Sequence, residues 1–379
     1  MFRSQGNRLF SNKGKELFCC VFIDHTYITF TAKWGILLAL QRTKIKHTSE
    51  RRFTSLHRIM KILATAPIDK TAVDILAPYG EIIVAPDDNE ETLVRLAAES
   101  EVFVVRGVAK ITARVIEASP NLKVIGRTGV GINNIDIEAA TARGIPVVFT
   151  PGANARAVAE AAMSFILALA KRVPYWDRQT KTDQWNTRYD SMNDDLEGET
   201  LGIIGFGNIG QQLARLAGPF DMKLLACDPY ASADRAHELG VSLVSLSELL
   251  QQSKYISLHT TLTPETEGMI NASNLQQLQH GSYLVNLSRG EAIDSLDSIL
   301  DALNDGRLAG AGLDVFVPEP VDSSHPIFSH PNFLSAPHVA SLTHKAVDTI
   351  HLWMANDIKA VLEGTPPKRL VNPEVLKQA

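Results

Sequence analysis

Three polar residues follow apolar, strand-like runs in the second half of the chain, and their types suit proton transfer and carboxylate binding. Arg289 follows YLVNLS, Glu319 follows AGLDVFVP, and His338 follows FLSAP. In an open α/β sheet, ligands bind beyond the carboxyl ends of the strands. A guanidinium holds a carboxylate by two parallel hydrogen bonds, and an imidazole exchanges protons near neutral pH. A carboxylate beside the imidazole would fix its tautomer and favour its protonated form.

Together with a nicotinamide, these three side chains would suffice for hydride transfer between a 2-hydroxy acid and a 2-oxo acid. Each also has an ordinary structural explanation, as a surface arginine, a turn cap between prolines or a loop histidine. The joint arrangement favours an active site. His259 ends another strand and is expected to line the cofactor side, whereas surface positions are expected for His280, His325, His330, His344 and His351.

The stretch LGIIGFGNIG, residues 201–210, predicts a strand that turns sharply into a helix. Gly205 allows the turn, Gly207 has no side chain to block a pyrophosphate, and Gly210 lets the helix pack closely on the strand. A glycine pattern alone is weak evidence. Here the flanking strand, the helix and the acid described next are all in register, so we predict a dinucleotide site.

Groups on both sides of this turn would hold the dinucleotide. The N–H groups of Asn208 and Ile209 would meet phosphate oxygens at the helix start. Asp228 ends the next apolar run, MKLLAC, 18 residues after the last glycine, and would accept hydrogen bonds from the adenosine ribose. Its charge would repel a 2′-phosphate, and the next two residues carry no arginine to offset this. The predicted cofactor is therefore NAD rather than NADP.

Length and composition describe a globular protein with room for two domains: 379 residues, 45% hydrophobic and 21% charged. Residues 1–59 hold 11 Lys and Arg against 3 Asp and Glu, which leaves a net charge of −13 for residues 60–379. This acidic body argues against a nucleic-acid partner. The chain has three cysteines, Cys19, Cys20 and Cys227. They are too few and too scattered for a disulfide framework or a zinc site, and no metal is predicted.

The basic segment 1–59 differs from the rest of the chain. Its apolar middle is broken by Asp24, His25 and Lys33, so it does not predict a membrane span, and no small-residue cleavage site follows it. A transit peptide is conceivable from the shortage of acids, but the bulky apolar middle argues against it. No strand or helix period persists. We expect the working protein to start near Met60, outside any membrane and in the cytoplasm, with this segment as an extension or a misassigned start.

From Met60 onward, strands alternate with helices, which predicts two doubly wound parallel-sheet α/β domains. Strands are predicted near residues 61, 81, 101, 122 and 144, and again near 201, 222, 241, 255, 283, 309 and 333. The last helix, 344–362, is expected to cross back onto the first domain. The polar segment 175–199 is either an arm that packs on another subunit or a solvated connection.

Several motifs, in order and at compatible spacings, resemble the D-2-hydroxyacid dehydrogenase family, nearest to its phosphoglycerate dehydrogenase and hydroxypyruvate reductase branch. They are GRTGVGINNID (126–136), GFGNIG with its acid, NLSRG, GLDVFVPEP and PHVA. The resemblance covers about residues 61–370. It implies a flavodoxin-like substrate domain (60–151 plus 342–379), a Rossmann NAD-binding domain (152–341), a hinge near Pro151 and Ser341, and a homodimer.

The resemblance also implies roles for individual residues. Arg289 would orient the substrate carboxylate, His338 would be the acid/base, and Glu319 would support His338. Main-chain N–H groups of Val130 and Gly131 would bind the same carboxylate. Further expected cofactor or hinge positions are Asn154 near the hinge, Asp314 at the nicotinamide carboxamide, and Thr260 and Leu287 at the cofactor.

Two arginines bear on the identity of the substrate. Arg106 and Arg127 end first-domain strands and could receive a phosphate or a second acidic group, or they could pair with local acids. The first reading favours 3-phosphoglycerate, with hydroxypyruvate or glyoxylate as the alternative. A function of a different class is an NAD-responsive binding protein such as a transcriptional corepressor. Ile293-Asp294 departs mildly from a Val-Asp pair of relatives, and only about 40 residues follow His338, so serine feedback through a C-terminal regulatory domain is not expected.

Overall fold

The computed structural model describes residues 17–23, 26–32 and 59–377. The chain divides into two compact units, Met1–His57 and Arg58–Ala379. In the smaller unit, β1 (Leu17–Ile23) and β2 (Thr26–Ala32) form an antiparallel pair. The expectation that no strand period persists here was wrong, because both runs are rich in β-branched and aromatic residues, which favour strands. Apart from Ile59, the rest of the predicted 1–59 extension lies outside the described residues.

The first domain of the larger unit is built on a five-stranded parallel sheet. Its strands are β3 (Met60–Ala64), β4 (Gly80–Val84), β5 (Val102–Val105), β6 (Val124–Arg127) and β7 (Val147–Val148). The intervening helices are α1 (Lys70–Leu76), α2 (Glu90–Ala97), α3 (Ala113–Glu117) and α4 (Ile137–Ala142). The strand order β4-β3-β5-β6-β7 confirms the predicted flavodoxin-like sheet.

The second domain carries a seven-stranded parallel sheet. Its strands are β8 (Thr200–Ile204), β9 (Lys223–Cys227), β10 (Val241–Leu243), β11 (Tyr255–Leu258), β12 (Ser282–Asn286), β13 (Leu308–Leu313) and β14 (Phe333–Ser335). Its helices are α5 (Ala155–Ala170), α6 (Val173–Lys181), α7 (Asn208–Ala217), α8 (Ala233–Glu238), α9 (Leu246–Gln252), α10 (Ala272–Leu275) and α11 (Leu296–Asn304). The order β10-β9-β8-β11-β12-β13-β14 confirms the predicted Rossmann domain.

The last long helix, α12 (His344–Leu362), returns to the first domain as predicted. It packs on α1 and β6, where Gly126 leaves the space that Ile358 fills: a Cβ there would lie 2.5 Å from Ile358 Cδ1. Beyond the helix, buried Asn372 accepts a hydrogen bond from Val147 N at 2.8 Å and donates to Ile145 O at 2.9 Å. The first domain is therefore assembled from two separate stretches of chain.

Both sheets reverse their strand order next to a site-forming loop. In the second sheet the reversal lies between β8 and β11. There Gly205 turns the chain at φ +90°, and a Cβ on it would lie 2.7 Å from the carbonyl oxygen of His259. In the first sheet the reversal lies between β3 and β5, directly before Arg106. Ligands bind at such reversal points in open α/β sheets, so each domain presents its binding edge.

The polar connection between α5 and β8 contains α6 and a short 3-10 helix, Trp185–Tyr189. Its large side chains face solvent: Trp185 is 62% exposed, Tyr189 74% and Met192 83%. Arg188 lies over the rings of both Trp185 and Tyr189. Both explanations of this segment, an arm that packs on another subunit and a solvated connection, stay predictions.

Two kinds of feature are not found in the part of the chain that the structure describes. None of its helices has the length and apolar character needed to cross a membrane. Nor do the described histidines, cysteines and carboxylates gather anywhere in a group of three or more that could hold a metal ion.

Candidate active site

The centre of the site is a histidine–glutamate pair. His338 Nδ1 lies 2.9 Å from Glu319 Oε2, and Glu319 Oε1 accepts a hydrogen bond from Phe316 N at 3.1 Å. An ionised carboxylate only accepts hydrogen bonds, so Nδ1 carries the hydrogen. The second ring nitrogen, Nε2, is therefore left for chemistry. The imidazole is half exposed and can meet a substrate.

A buried carboxylate holds the turn that carries His338. Asp314 O accepts from His338 N at 2.7 Å, while its two carboxylate oxygens accept from Val339 N and Ala340 N at 2.8 and 2.9 Å. Burial raises the pKa of Asp314, and these N–H bonds act against that rise. His338 has a φ of +55°, a strained value for a side chain with a Cβ, which the three bonds maintain. This positioning by Asp314 was not predicted from the sequence.

Arg289 follows β12 in a loop that a second buried side chain fixes. Asn286 Oδ1 accepts from Ser288 N at 3.0 Å, and Asn286 Nδ2 donates to Arg289 O at 2.8 Å. Arg289 Nη1 donates to Ser288 O at 2.7 Å, which leaves its other N–H groups for a ligand. Sequence reasoning missed Asn286. The available signal was a polar residue at the end of an otherwise apolar strand.

The guanidinium of Arg289 lies against the GVG turn of the first domain, because a Cβ added to Gly131 would overlap Arg289 Nη2. Arg127 holds the same turn by donating from Nε to Gly131 O at 2.9 Å. Burial, and next the charge of Arg289, lower the pKa of Arg127 to about 10, so it remains a cation at neutral pH. The structure thus brings two guanidinium groups from different domains close to the same turn.

We call the space beside these groups the outer cavity. It measures about 580 Å³, and the titratable side chains that line it are Arg106, Arg127, Arg289, Glu291, Glu319, His338 and His351. Arg106 donates from Nη1 to Pro67 O. Among the described residues, none of the three arginines forms an ion pair with a carboxylate. The alternative that local acids neutralise Arg106 and Arg127 therefore finds no support there.

The predicted surface position of His351 was wrong. Its side chain is only 3% exposed, and Nδ1 lies 2.9 Å from Val347 O. His351 shares its face of α12 with Ile350 and Met354, so the helical period places it inward despite its polarity. His280 and His344 are exposed as expected.

Two other histidines are half-buried rather than exposed, because their rings cap local turns. His325 Nδ1 accepts from Ile327 N, and His330 Nδ1 accepts from Asn332 N, each at 3.2 Å.

A second space, the inner cavity, measures about 400 Å³ and lies between the two domains. Many predicted cofactor and substrate residues line it: Val130, Gly131, Gly207, Asn208, Ile209, Thr260, Leu287, Arg289, Asp314 and His338. Arg106 and Glu319 line only the outer of the two cavities, and Gly205, Gly210 and Asp228 line neither.

Buried polar atoms in the inner cavity fit a dinucleotide. Asn154 Oδ1, His259 Nδ1 and Thr260 Oγ1 are buried and have no hydrogen-bond partner within the described chain. Such atoms are costly unless a ligand or water satisfies them. Burial lowers the pKa of His259 to about 3, so its ring is neutral at working pH. A ligand rich in amide and hydroxyl groups, as NAD is, matches these orphaned atoms.

Asp228 lies at the end of β9 beside the glycine turn. Its Oδ2 accepts from Phe206 N and its Oδ1 from Tyr230 N, both at 2.8 Å. Each carboxylate oxygen can accept a second hydrogen bond, so ribose hydroxyls could still be bound.

The glycines of the fingerprint make a matched pair for testing the nucleotide site. Gly207 has a φ of −74°, which suits alanine, and a Cβ there would meet nothing within 4 Å. Gly207→Ala should therefore leave the fold intact yet fill space that a pyrophosphate needs, raising the Kd for NADH at least about tenfold. A Cβ on Gly210 would overlap the carbonyl of Gly205. Gly210→Ala should lower the free energy of unfolding by about 1–3 kcal/mol.

Thermal unfolding and NADH fluorescence titration measure these two effects separately. Unchanged NADH affinity in a folded Gly207→Ala protein would exclude the assigned pyrophosphate position.

Comparison with known proteins shows which proteins this chain resembles. Residues 163–340 match the family model described as D-isomer specific 2-hydroxyacid dehydrogenase, NAD binding domain. D-3-phosphoglycerate dehydrogenase of Archaeoglobus fulgidus is 38% identical over 314 residues, which cover 83% of this chain and 59% of that protein. Glyoxylate reductase of Korarchaeum cryptofilum is 34% identical over 84% of this chain and 97% of that protein.

A solved structure extends the comparison. D-lactate dehydrogenase from Aquifex aeolicus, complexed with NAD and lactic acid, matches with a TM-score of 0.73 at 28% identity, covering 84% of this chain and 98% of that one. The chain spans about 60% of the length of the phosphoglycerate dehydrogenases that it matches. Since similarity to the Korarchaeum enzyme runs through nearly all of that protein, the chain belongs to the D-isomer specific 2-hydroxyacid dehydrogenase family.

Proposed function

We propose that this protein is an NAD-dependent dehydrogenase that interconverts a 2-hydroxy acid and a 2-oxo acid, with 3-phosphoglycerate as the best candidate substrate. The observation that carries the proposal is the outer cavity. It combines the His338–Glu319 pair with three guanidinium groups, Arg106, Arg127 and Arg289, for which no carboxylate partner is found among the described residues. A substrate with two acidic groups would match these cations.

Proton transfer is assigned to His338. In reduction, the protonated ring donates its Nε2 proton to the oxygen of the 2-oxo group. In oxidation, the neutral ring accepts the proton of the 2-hydroxyl at the same nitrogen. Glu319, on Nδ1, fixes the tautomer and stabilises the imidazolium, while Asp314 keeps the turn in position.

Substrate orientation is assigned to Arg289 and to the N–H groups of Val130 and Gly131, which bind the carboxylate next to the reacting carbon. A bound nicotinamide would supply the hydride chemistry, as NADH in reduction and as oxidised NAD in oxidation. The residues that would hold it are Asn208 and Ile209 at the pyrophosphate, Asp228 at the ribose, and Asn154, His259, Thr260, Leu287 and Asp314 along the inner cavity.

A substrate panel tests the proposal. NADH oxidation would be followed with 3-phosphohydroxypyruvate, hydroxypyruvate, glyoxylate and pyruvate, and kcat/KM compared. We expect the phosphorylated acid to give the highest value. The second candidate is a hydroxypyruvate or glyoxylate reductase, which the long match to the Korarchaeum glyoxylate reductase favours. NADH binding without turnover of any acid would instead support a binding protein of the corepressor type.

Cofactor choice gives a separate prediction. Wild-type protein should prefer NADH over NADPH, because the Asp228 carboxylate repels a 2′-phosphate. Asp228→Ala should lower the NADH/NADPH ratio of kcat/KM at least about tenfold. The matched control is Asp234→Ala, which removes an exposed carboxylate from the first turn of α8. An equal change in both variants would attribute the preference to general charge rather than to Asp228.

We also propose a homodimer located in the cytoplasm. Support for the dimer comes from the exposed Trp185, Tyr189 and Met192 in the connection before β8. Light scattering of the purified chain would measure its mass, and a monomer at micromolar concentration would argue against this assembly.

A further inference from the structure

His351 is one of the side chains that line the outer cavity, and the proposed mechanism gives it no role. Its Nδ1 lies 2.9 Å from the carbonyl oxygen of Val347. A carbonyl cannot donate, so Nδ1 carries the hydrogen of this bond. In the neutral ring, Nε2 then carries a lone pair and can only accept a hydrogen bond. That nitrogen is buried and has no partner among the described residues.

The charges around His351 come from both domains. On its own side are Asp69, which caps α1, and Arg106 and Arg127 at strand ends. The Thr71 N–H bond, chiefly, and the nearby His351 hold the pKa of Asp69 below its usual range, so Asp69 is ionised. Across the cavity are Arg289, Glu291 and the His338–Glu319 pair. Because Glu319 is hydrogen-bonded to His338, the three arginines dominate the charge of the outer cavity and attract an anion.

We infer that His351 takes up a proton when a doubly anionic acid binds, and then donates an Nε2–H hydrogen bond to the acidic group remote from the reacting carbon. The inference rests on the proposed function, which places such an acid in this cavity. A lone pair would repel an anionic oxygen, whereas the imidazolium donates to it. The proton comes from solvent and returns there on release. An acid with one carboxylate, held by Arg289, offers no anionic oxygen for Nε2.

Binding calorimetry tests the coupling directly. NADH-saturated protein and D-3-phosphoglycerate form a pair that cannot react, and titration in two buffers of different ionisation enthalpy gives the protons taken up. At pH 7.5 we expect wild-type protein to take up more protons with D-3-phosphoglycerate than with D-glycerate, by up to one. His351→Gln should abolish this difference, because its amide is a donor at every pH.

Affinity provides a second readout. For one linked proton, wild-type affinity for D-3-phosphoglycerate should fall by up to about tenfold per pH unit above neutrality. His351→Gln should lose that part of the pH dependence. The control is His344→Gln, the same change at an exposed position of the same helix, which should behave as wild type.

A measurement on wild-type protein covers the case in which the variant does not fold. With ¹⁵N-labelled histidine, D-3-phosphoglycerate should convert one more ring nitrogen to the imidazolium form than D-glycerate does. Equal proton uptake for the two acids, or equal uptake in wild type and His351→Gln, overturns this inference and leaves the proposed function standing. Failure of D-3-phosphoglycerate to bind overturns both the inference and the choice of substrate.

Discussion

Replacement of His338 by alanine is expected to lower kcat for 2-oxo acid reduction by about 10²–10⁴-fold. The variant lacks the group that supplies the proton to the oxo oxygen, while the glycine turn and Asp228 are untouched. The Kd for NADH should therefore stay within about threefold of wild type, since most of the residues proposed to hold the cofactor lie elsewhere. Stopped-flow kinetics and NADH fluorescence measure the two quantities independently.

His344→Ala is the control, since it removes an exposed histidine six residues further along the chain. Glu319→Gln adds a readout that a purely structural role would not move. Without the carboxylate on Nδ1 the imidazolium is less stable, so the pH–rate profile for reduction should shift to lower pH. Turnover by His338→Ala at near wild-type rates would remove this residue from the mechanism.

Arg289→Lys is expected to lower kcat/KM for the 2-oxo acid by about 10²–10³-fold, although the charge is kept. Lysine cannot form the two parallel hydrogen bonds of a guanidinium to a carboxylate, and each charge-assisted bond contributes about 1.5–3 kcal/mol. The loop itself should persist, because Asn286 holds it through main-chain atoms. Steady-state kinetics with glyoxylate, the smallest acid of the panel, measures the effect.

Arg307→Lys makes the same chemical change beyond α11, in a residue whose guanidinium donates to Gln276 O. It should leave kcat/KM within about twofold of wild type. If Arg289→Lys weakened NADH binding as strongly as it weakened substrate use, Arg289 would belong to the cofactor rather than to the carboxylate.

Regular elements could be predicted well where periodicity is strong. The predicted helix 344–362 has the same bounds as α12, because its capping residue Thr343 and its apolar spacing agree there. The observed strand ends differ from the predicted ones by a few residues. For example, β7 pairs only at Val147–Val148, within a longer apolar run. The β1–β2 pair was missed because Asp24 and His25, which stand between its two strands in the sequence, break the apolar stretch.

The candidate site could be predicted in part, because the carboxyl ends of parallel strands meet at one edge. That rule singled out Arg289 and His338, and the structure brings both to the two cavities. The supporting bonds of Asn286 and Asp314 were not foreseen, since they go to backbone atoms whose positions depend on the path of the loops. His351 was misjudged because its polarity was given more weight than its helical position.

The two-stretch construction of the first domain has a consequence for synthesis on the ribosome. The strand-forming part of this domain emerges first, yet it must wait for α12 and Asn372 before its sheet is covered and its edge is bonded. The inserted nucleotide-binding sheet is finished earlier, so it is the part that can fold while translation continues. Truncation of the chain before α12 should therefore unfold the first domain and leave the nucleotide-binding domain folded.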